Sequence, residues 1–326
     1  MRHGVMIFSV IISYWRNITL PWICGILLAS VVLAMPGKVM AGEAEDSGVV
    51  DYGAYLARVG NCMGCHTTKG GQPFAGGRRL STSFGVFITP NITPDKETGI
   101  GLWNQQDFWQ ALHQGKSRDG RLLYPAFPYT EYTKVTRQDA DAIFAYLQSL
   151  PPVSQANPAH DIFFPYNSKA LLAVWRTLYF KEGVYEPDQS KSAAWNRGAY
   201  LVQGLGHCSA CHTTRNMLGA SQDSALTGGQ IMGMNWYAPS LSSYLEAGSG
   251  DWEIEEIAAL LTTGITERAV ASGPMATVVR QSLQYLSRED VLAMAAYLKS
   301  LTENDVGNAP GVHFSVTSGS LRRHLE

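Results

Sequence analysis

Two Cys-x-x-Cys-His segments hold the residues best suited to chemistry, one running from Cys62 to His66 and the other from Cys208 to His212. Two thiols at this spacing can form thioethers with the two vinyl groups of haem, and the histidine that follows then lies against the iron as its proximal ligand. The pattern therefore predicts two covalently bound haem c groups. Three residues of each segment would hold them: Cys62, Cys65 and His66 for haem 1, and Cys208, Cys211 and His212 for haem 2.

Other interpretations use the same four cysteines. A redox-active dithiol is expected near a βαβ pattern, which this sequence lacks. A zinc site built from four thiolates leaves both histidines and the matched surroundings of the two segments unexplained. An exported chain could also form disulfides, but these too would leave the histidines without a role. Two segments in matched settings therefore favour haem.

A second axial ligand is expected for electron transfer, and a methionine in that position raises the reduction potential. Met275, in the segment Ser272–Met275, is the predicted distal ligand of haem 2, so the predicted metal ligands are His66, His212 and Met275. Four other methionines compete for that role: Met217, Met232, Met234 and Met294, the last expected in the core.

The distal ligand of haem 1 stays open at this point. Phe127 stands where the ligand is expected, and no methionine occurs between Met63 and Met217. The alternatives are His113, a side chain from elsewhere such as His160, or an open five-coordinate site. His207, just before Cys208, is interpreted as a local polar residue.

The surroundings of the two segments repeat. Gly53–Leu56 precedes the first and Gly198–Leu201 the second, and an amphipathic stretch at helical spacing follows Trp103 and Trp252. A closing helix then begins at Thr136, with Asp139 three residues on, and at Ser287, with Asp290 three residues on. These pairs resemble capping boxes. The long Gly- and Pro-containing loops suit a large bound cofactor.

These patterns predict a mainly α fold of two tandem class I cytochrome c-type domains joined by a packed connector. The connector is rich in apolar residues, unlike a flexible linker. The predicted segments are a signal peptide at 1–41, domain 1 at 48–150, the connector at 151–195, domain 2 at 196–303 and an irregular tail at 304–326.

The N-terminus predicts export. Arg2 and Arg16 supply positive charge, Trp22–Met35 is apolar, and small residues precede Gly42. The alternative is that the segment is retained as a membrane anchor. Export places the protein in the periplasm, where covalent haem attachment is expected.

Composition and missing motifs narrow the function. The formal net charge is -2, which gives no electrostatic support for a nucleic-acid partner. The sequence has no dinucleotide fingerprint, phosphate loop or nucleophile elbow. We therefore expect no catalytic site apart from the haems.

Two stretches resemble a known family. Phe163–Asn167 with Leu171–Trp175, and Trp195–Leu201 with Gly206–Asn216, are similar to the multihaem cytochrome c subunits of membrane-associated periplasmic dehydrogenases. That family serves alcohol, gluconate, fructose and sorbitol dehydrogenases, and related subunits serve molybdenum hydroxylases. The resemblance covers about residues 48–302.

The resemblance implies a dihaem electron relay at the outer face of the cytoplasmic membrane. It would accept electrons from a dehydrogenase catalytic subunit of molybdenum, flavin or quinoprotein type, and pass them to quinone, another cytochrome or the respiratory chain. This sequence departs from the family in having two haem segments where three are common, and in having Phe127 where many relatives have methionine. The competing hypothesis is a dihaem redox enzyme, of peroxidase or thiosulfate-oxidising type, that uses an open or unusually ligated haem 1.

Overall fold

The fold is built mainly from helices, in the order that the repeats predict. The computed structural model describes residues 40–221, 225–243, 246 and 251–308. The helices in this part of the chain are α1 (Met40–Val59), α2 (Cys62–His66), α3 (Gln105–Gln114), α4 (Tyr129–Tyr132), α5 (Arg137–Ser149), α6 (Lys169–Tyr179), α7 (Ala193–Tyr200), α8 (Ser209–His212), α9 (Ile254–Thr263), α10 (Gly273–Gln281) and α11 (Arg288–Asn308). A π-helical turn, Leu201–Leu205, extends α7, and a 3-10 turn, Leu283–Tyr285, follows α10.

Two small antiparallel sheets complete the described elements. Strands β1 (Arg79–Thr82), β2 (Gly85–Ile88) and β3 (Asp161–Ile162) form one sheet in that order, and β4 (Gly229–Gln230) pairs with β5 (Tyr237–Ala238). Strand β3 belongs to the connector, so the sheet ties the connector to the first repeat. These strands have two to four residues, too few for an alternating pattern to predict them.

Matching glycine C-caps end the helix after each Trp. Asn104 precedes α3 and forms a capping box with Asp107, and α3 ends at Gly115 in a left-handed conformation. Its counterpart α9 ends in the same way at Gly264, whose φ is 77°. These caps agree with the predicted positions of both helices.

In each repeat the first and last helices cross at a glycine. A Cβ atom built on Gly53 of α1 would overlap the carbonyl group of Ala142 in α5, and one built on Gly198 of α7 would overlap that of Ala293 in α11. Each glycine therefore lets two helix backbones approach more closely than any side chain would allow. The crossing fixes the segment that leads into each Cys-x-x-Cys-His motif.

The two repeats exchange hydrogen bonds at their closing helices. The Tyr55 hydroxyl of the first repeat donates to Asp290 Oδ2 of the second at 2.6 Å, and the Tyr200 hydroxyl donates to Asp139 of the first. The same hydroxyls accept the backbone N–H of Ser287 and of Thr136, each at 3.3 Å. The repeats and the connector lie in one compact unit that starts at Asp46.

This exchange corrects half of the capping-box prediction. Thr136 and Ser287 do accept the N–H three residues on, at 3.2 Å in both cases. The carboxylates of Asp139 and Asp290, however, do not return to the cap N–H groups. The tyrosine of the other repeat stands between them, because its hydroxyl can accept from the N–H and donate to the carboxylate at once.

Asp290 also pairs with Arg197 of its own repeat, with Nε to Oδ1 at 2.7 Å. Burial raises the pKa of Asp290, but hydrogen bonds from Arg197 and Tyr55 and the guanidinium charge outweigh it and lower that pKa below its ordinary value of 3.8. Asp290 thus stabilises the fold above the pKa of the unfolded carboxyl. That contribution is lost as the pH falls through the lower pKa of the folded state.

We expect Tyr200→Phe to lower the free energy of unfolding by about 1.5–3 kcal/mol, because a buried carboxylate loses a hydrogen bond. Tyr55→Phe should cost less, since Arg197 still pairs directly with Asp290. Within the described part of the chain, the side-chain hydroxyl left to donate to Asp139 in Tyr200→Phe is that of Tyr52, at 3.2 Å. Urea unfolding followed by circular dichroism measures both. Tyr285→Phe, at a side chain that is 53% exposed, is the control. Equal values for Tyr200→Phe and that control would contradict the argument.

The connector is less packed than predicted. Leu172 of α6 is buried, and Trp175 Nε1 donates to the Leu218 carbonyl at 2.9 Å. Many of its large apolar side chains are nevertheless exposed: Phe163, Phe164, Leu171, Val174, Leu178, Tyr179 and Val184. Leu171, Val174 and Leu178 share one helix face, and that face points away from the rest of the described chain.

The described residues begin within the predicted signal peptide and end within the predicted tail. α11 runs to Asn308, where the described residues end, five residues into the segment predicted to be irregular. Residues 309–326 and all of the predicted signal peptide except Met40 and Ala41 lie outside the described residues. None of the helices described is both long and apolar enough to span a bilayer.

Candidate haem sites

The two motif histidines are held in the same way. Nδ1 of His66 lies 2.8 Å from the Pro90 carbonyl oxygen, and Nδ1 of His212 lies 2.8 Å from that of Pro239. Because a carbonyl can only accept, Nδ1 carries the proton and the lone pair stays on Nε2. Burial lowers the pKa of both histidines, which favours the neutral form that binds iron. Both rings are therefore prepared as ligands through Nε2.

The four motif cysteines are free thiols. Burial, followed by the neighbouring motif thiol, raises the pKa of Cys62 and of Cys208 to about 12. These thiols are therefore protonated and resist the oxidation that a thiolate invites. Thiols that stay reduced are the form needed for addition to vinyl groups.

The residue before each motif has a left-handed backbone, with φ of 50° at Asn61 and 42° at His207. This conformation turns the chain sharply from the first helix of each repeat into α2 and α8. Such a backbone is uncommon for residues other than glycine, and asparagine and histidine are among those that tolerate it. Both repeats therefore share a strained turn before the motif as well as the motif residues themselves.

An arginine supports each motif from a different place in the sequence. Arg78 donates to the Gly64 carbonyl of the first motif, and Arg215 Nη2 donates to the Ala210 carbonyl of the second at 2.9 Å. Gly64 and Ala210 occupy the same motif position, but Arg78 lies on the loop before β1 and Arg215 lies directly after α8. The repeat did not predict this pair, because the two arginines are not at repeated positions.

The backbone places Phe127 and Met275 at matching positions. The Leu123 N–H donates to the Gly115 carbonyl at 2.8 Å, and the Ala271 N–H donates to that of Gly264 at 2.7 Å. Phe127 and Met275 each stand four residues after these matched donors. Both side chains are partly buried against the core. Met275, in the first turn of α10, remains the predicted distal ligand of haem 2.

The competing methionines lie elsewhere. Met294 is 1% exposed in α11, as expected of a core residue, and Met217 is 95% exposed. Met232 and Met234 line a cleft of about 590 Å³ together with Phe84 from the β1–β2 turn. None of these positions matches that of Met275.

The candidate histidines for haem 1 have other contacts. His113 is buried, with Nδ1 2.7 Å from the Thr133 carbonyl and Nε2 3.2 Å from Glu182. His160 Nδ1 accepts the Ile88 N–H at 3.1 Å. Nδ1 of His207 lies 3.1 Å from the Leu205 carbonyl, which agrees with a local polar role.

The structure brings the two motifs together, a contact that neither motif predicts from its sequence. The Leu205 side chain lies over Gly60, and the ring of Tyr132 meets that of His207 at 5.3 Å. Between them, the Glu131 carboxylate is 5% exposed and accepts from Ser209 Oγ of the second motif at 3.2 Å. The negative charge of Glu131 raises the pKa of Cys211, after the larger effects of burial and of Arg215 and Cys65.

Glu131 should therefore lower the reduction potential of haem 2, because a nearby buried negative charge stabilises the oxidised iron. We expect Glu131→Gln to raise that potential by an amount on the order of 1 kcal/mol per electron. A spectroscopic redox titration measures it, with the exposed Glu97→Gln as control. An unchanged potential in Glu131→Gln would show that the carboxylate does not act on haem 2.

These features fit covalently attached haem c at both motifs. Each site offers two reduced thiols and a neutral imidazole with an available Nε2, on a short helix held by an arginine. A zinc site of the four cysteines alone would leave both oriented imidazoles unused.

Comparison with known proteins agrees with this chemistry. The family profile described as Cytochrome c matches residues 50–151 and 196–302. The chain is 43% identical over 299 residues to a subunit of the nicotinate dehydrogenase of Pseudomonas putida, covering 89% of this chain and 25% of that protein.

Two further relatives differ in how much of their length is matched. The chain is 39% identical over 288 residues to the gluconate 2-dehydrogenase cytochrome c subunit of Pantoea cypripedii, covering 86% of this chain and 65% of that protein. It is 38% identical over 264 residues to a diheme cytochrome c-type protein of Cereibacter sphaeroides, covering 78% and 86%. With matches to both repeats, the chain belongs to the cytochrome c family, whose members carry covalently bound haem c.

Proposed function

We propose that this chain is a dihaem c-type cytochrome that relays electrons from a periplasmic dehydrogenase to quinone or the respiratory chain. The observation that carries the proposal is the pair of matched motifs, each with its imidazole held by a proline carbonyl, in one compact unit. Haem c supplies a reversible one-electron couple when it is bound.

The cysteines, histidines and methionine of the two sites would each have a separate role in holding haem. The cysteines Cys62, Cys65, Cys208 and Cys211 keep the cofactors attached in both oxidation states. His66 and His212 present Nε2 to iron, and Met275 raises the potential of the second site. The contact between the motifs, with Glu131 at its centre, keeps the two sites at a short and fixed separation, which favours transfer between them.

The partner class follows from the relatives. The names of the nicotinate and gluconate relatives place them in dehydrogenases, and we infer that a dehydrogenase catalytic subunit reduces this chain as well. We further propose that the pair works in the periplasm, at the outer face of the cytoplasmic membrane. Molybdenum, flavin and quinoprotein partners are the three classes to test.

The test combines a haem count with reduction by a partner. The full chain is exported in a bacterium that attaches haem c, and we expect two covalent haems per chain from mass and from the pyridine haemochrome spectrum. Stopped-flow absorbance then follows haem reduction by a molybdenum, a flavin or a quinoprotein dehydrogenase, each with its own substrate. Reduction that needs both enzyme and substrate supports the relay. Fewer than two haems, or no reduction by any class, would reject it.

A further inference from the structure

We propose that haem 1 has no side-chain ligand on its distal face and binds a small neutral ligand there, with carbon monoxide as the probe. The proposal rests on the haem attachment proposed above and concerns the side chains around it. It depends on Phe127, on the contacts of the nearby histidines and on the polar groups beside Phe127.

Phe127 stands where the other repeat has Met275. The correspondence follows from the matched backbone hydrogen bonds of Leu123 and Ala271, each four residues earlier. The Phe127 ring is partly buried and packs against that of Tyr132, with ring centroids 5.4 Å apart. A phenyl ring has no lone pair for iron, so this position blocks the usual ligand without replacing it.

The described histidines outside the motifs do not replace the missing ligand. His113 uses both ring nitrogens and stacks on Trp109 at 4.4 Å. His160 accepts a backbone N–H at Nδ1, so its proton is on Nε2 and that nitrogen has no lone pair to give.

His207 is the strongest remaining competitor, because its Nδ1 contact leaves Nε2 free. Its position argues against ligation of haem 1. His207 is the residue next to Cys208, and its strained left-handed backbone holds it at the attachment edge of haem 2. Its ring packs on Tyr132 and not on Phe127.

The buried Tyr129 hydroxyl has no hydrogen-bond partner among the described residues, but its ring packs on Phe180 and Arg176. Two other donors are engaged. The Tyr132 hydroxyl donates to the Gly60 carbonyl at 3.1 Å, and Lys134 Nζ donates to Gln203 Oε1 at 3.1 Å. The methionines Met232 and Met234 line the cleft beside Phe84. Among the described side chains, therefore, we find none placed and free to occupy the distal position of haem 1.

The same contacts define the class of ligand. Phe127 brings hydrocarbon to the distal position, and the Tyr132 hydroxyl is already committed. The polarity and hydrogen-bond donors of a distal pocket decide between ligand binding and activation of an O–O bond. Without a hydrogen bond from Tyr132, this pocket favours a small neutral ligand such as carbon monoxide over the cleavage of peroxide.

The experiment uses the exported holoprotein, after two covalent haems have been counted. We expect the ferric protein to show one high-spin and one low-spin haem by electron paramagnetic resonance, and the reduced protein to bind one carbon monoxide per chain. In Phe127→Met both haems should be low-spin, and carbon monoxide binding should be lost. Phe127→Leu removes the ring without adding a ligand atom and should still bind one equivalent.

Met275→Ala is the matched variant at the other site and should bind two equivalents. Two low-spin haems and no carbon monoxide binding in the native protein would overturn the proposal. If binding then appeared in His207→Ala or His160→Ala, that histidine would be the ligand. These outcomes leave the haem count and reduction by a dehydrogenase unaffected, so the relay and the open site fail separately.

Discussion

Replacing both Cys208 and Cys211 with serine is expected to leave a protein with a single covalent haem, at Cys62 and Cys65. Serine cannot form a thioether, so the second site loses both of its covalent links. The mass of the denatured protein should fall by one haem, and the redox titration should lose the couple that we assign to Met275 ligation. Reduction of an acceptor by the chain should then fall by at least one order of magnitude.

Two further variants test whether each cysteine pair holds its own haem. Cys62→Ser with Cys65→Ser should remove the other haem and leave the Met275 couple, while Cys24→Ser, at the remaining cysteine of the sequence, should change neither. If both double variants kept two covalent haems, the thioether assignment would be wrong. A native mass without haem but lower by the hydrogens of two disulfides would favour structural cystines instead.

Gly53→Ala and Gly198→Ala are expected to destabilise the fold strongly, although alanine is the better helix former. The new methyl group would overlap a carbonyl of the crossing helix, at Ala142 or at Ala293, and two backbones would have to separate. Overpacking of this kind costs about 1–3 kcal/mol and sometimes more. We expect these variants at the upper end, because a backbone group cannot move aside as a side chain can.

Gly48→Ala, on the same helix as Gly53, is the matched control. A Cβ at Gly48 meets no atom within 4 Å, so the substitution should stabilise the protein by about 0.5–1 kcal/mol through helix propensity alone. Opposite signs for Gly48→Ala and Gly53→Ala in urea unfolding would support the crossing. A gain in stability at Gly53 would contradict it.

Much of the helical framework was predictable because its determinants are local. The motif spacing, the helix that closes each repeat and the amphipathic stretches after Trp103 and Trp252 all depend on residues within a few turns of each other. The repeat then gave each prediction a second, independent example. Met275 and Phe127 were singled out for the same reason, as matched positions with different side chains.

The features that were missed depend on distance in the sequence. Tyr55 and Asp290 are separated by most of the chain, and nothing in either segment indicates that they meet. Glu131 was inconspicuous as one acidic residue in a short helix, because its burial comes from the second repeat. Arg78 and Arg215 reach equivalent carbonyls from unrelated positions, so comparison of the repeats could not reveal them.

The connector shows that amino-acid composition alone does not predict which apolar side chains are buried. Its apolar residues predicted a packed connector. Composition could not tell whether Val174 and Leu178 face the core or the outside, and the helix places them outside, at 54% and 65% exposure. Buried residues are mostly hydrophobic, but many hydrophobic residues also lie on protein surfaces.

The exchanged tyrosines have a consequence for how this chain can be divided. Neither repeat alone provides every group that caps its closing helix. The tyrosine hydroxyl that accepts the N–H at the start of that helix belongs to the other repeat. Separating the two repeats would remove one hydrogen bond from each of two carboxylates and two backbone amides at once. We therefore expect the two repeats to unfold together in one cooperative step, although each resembles a complete domain in sequence.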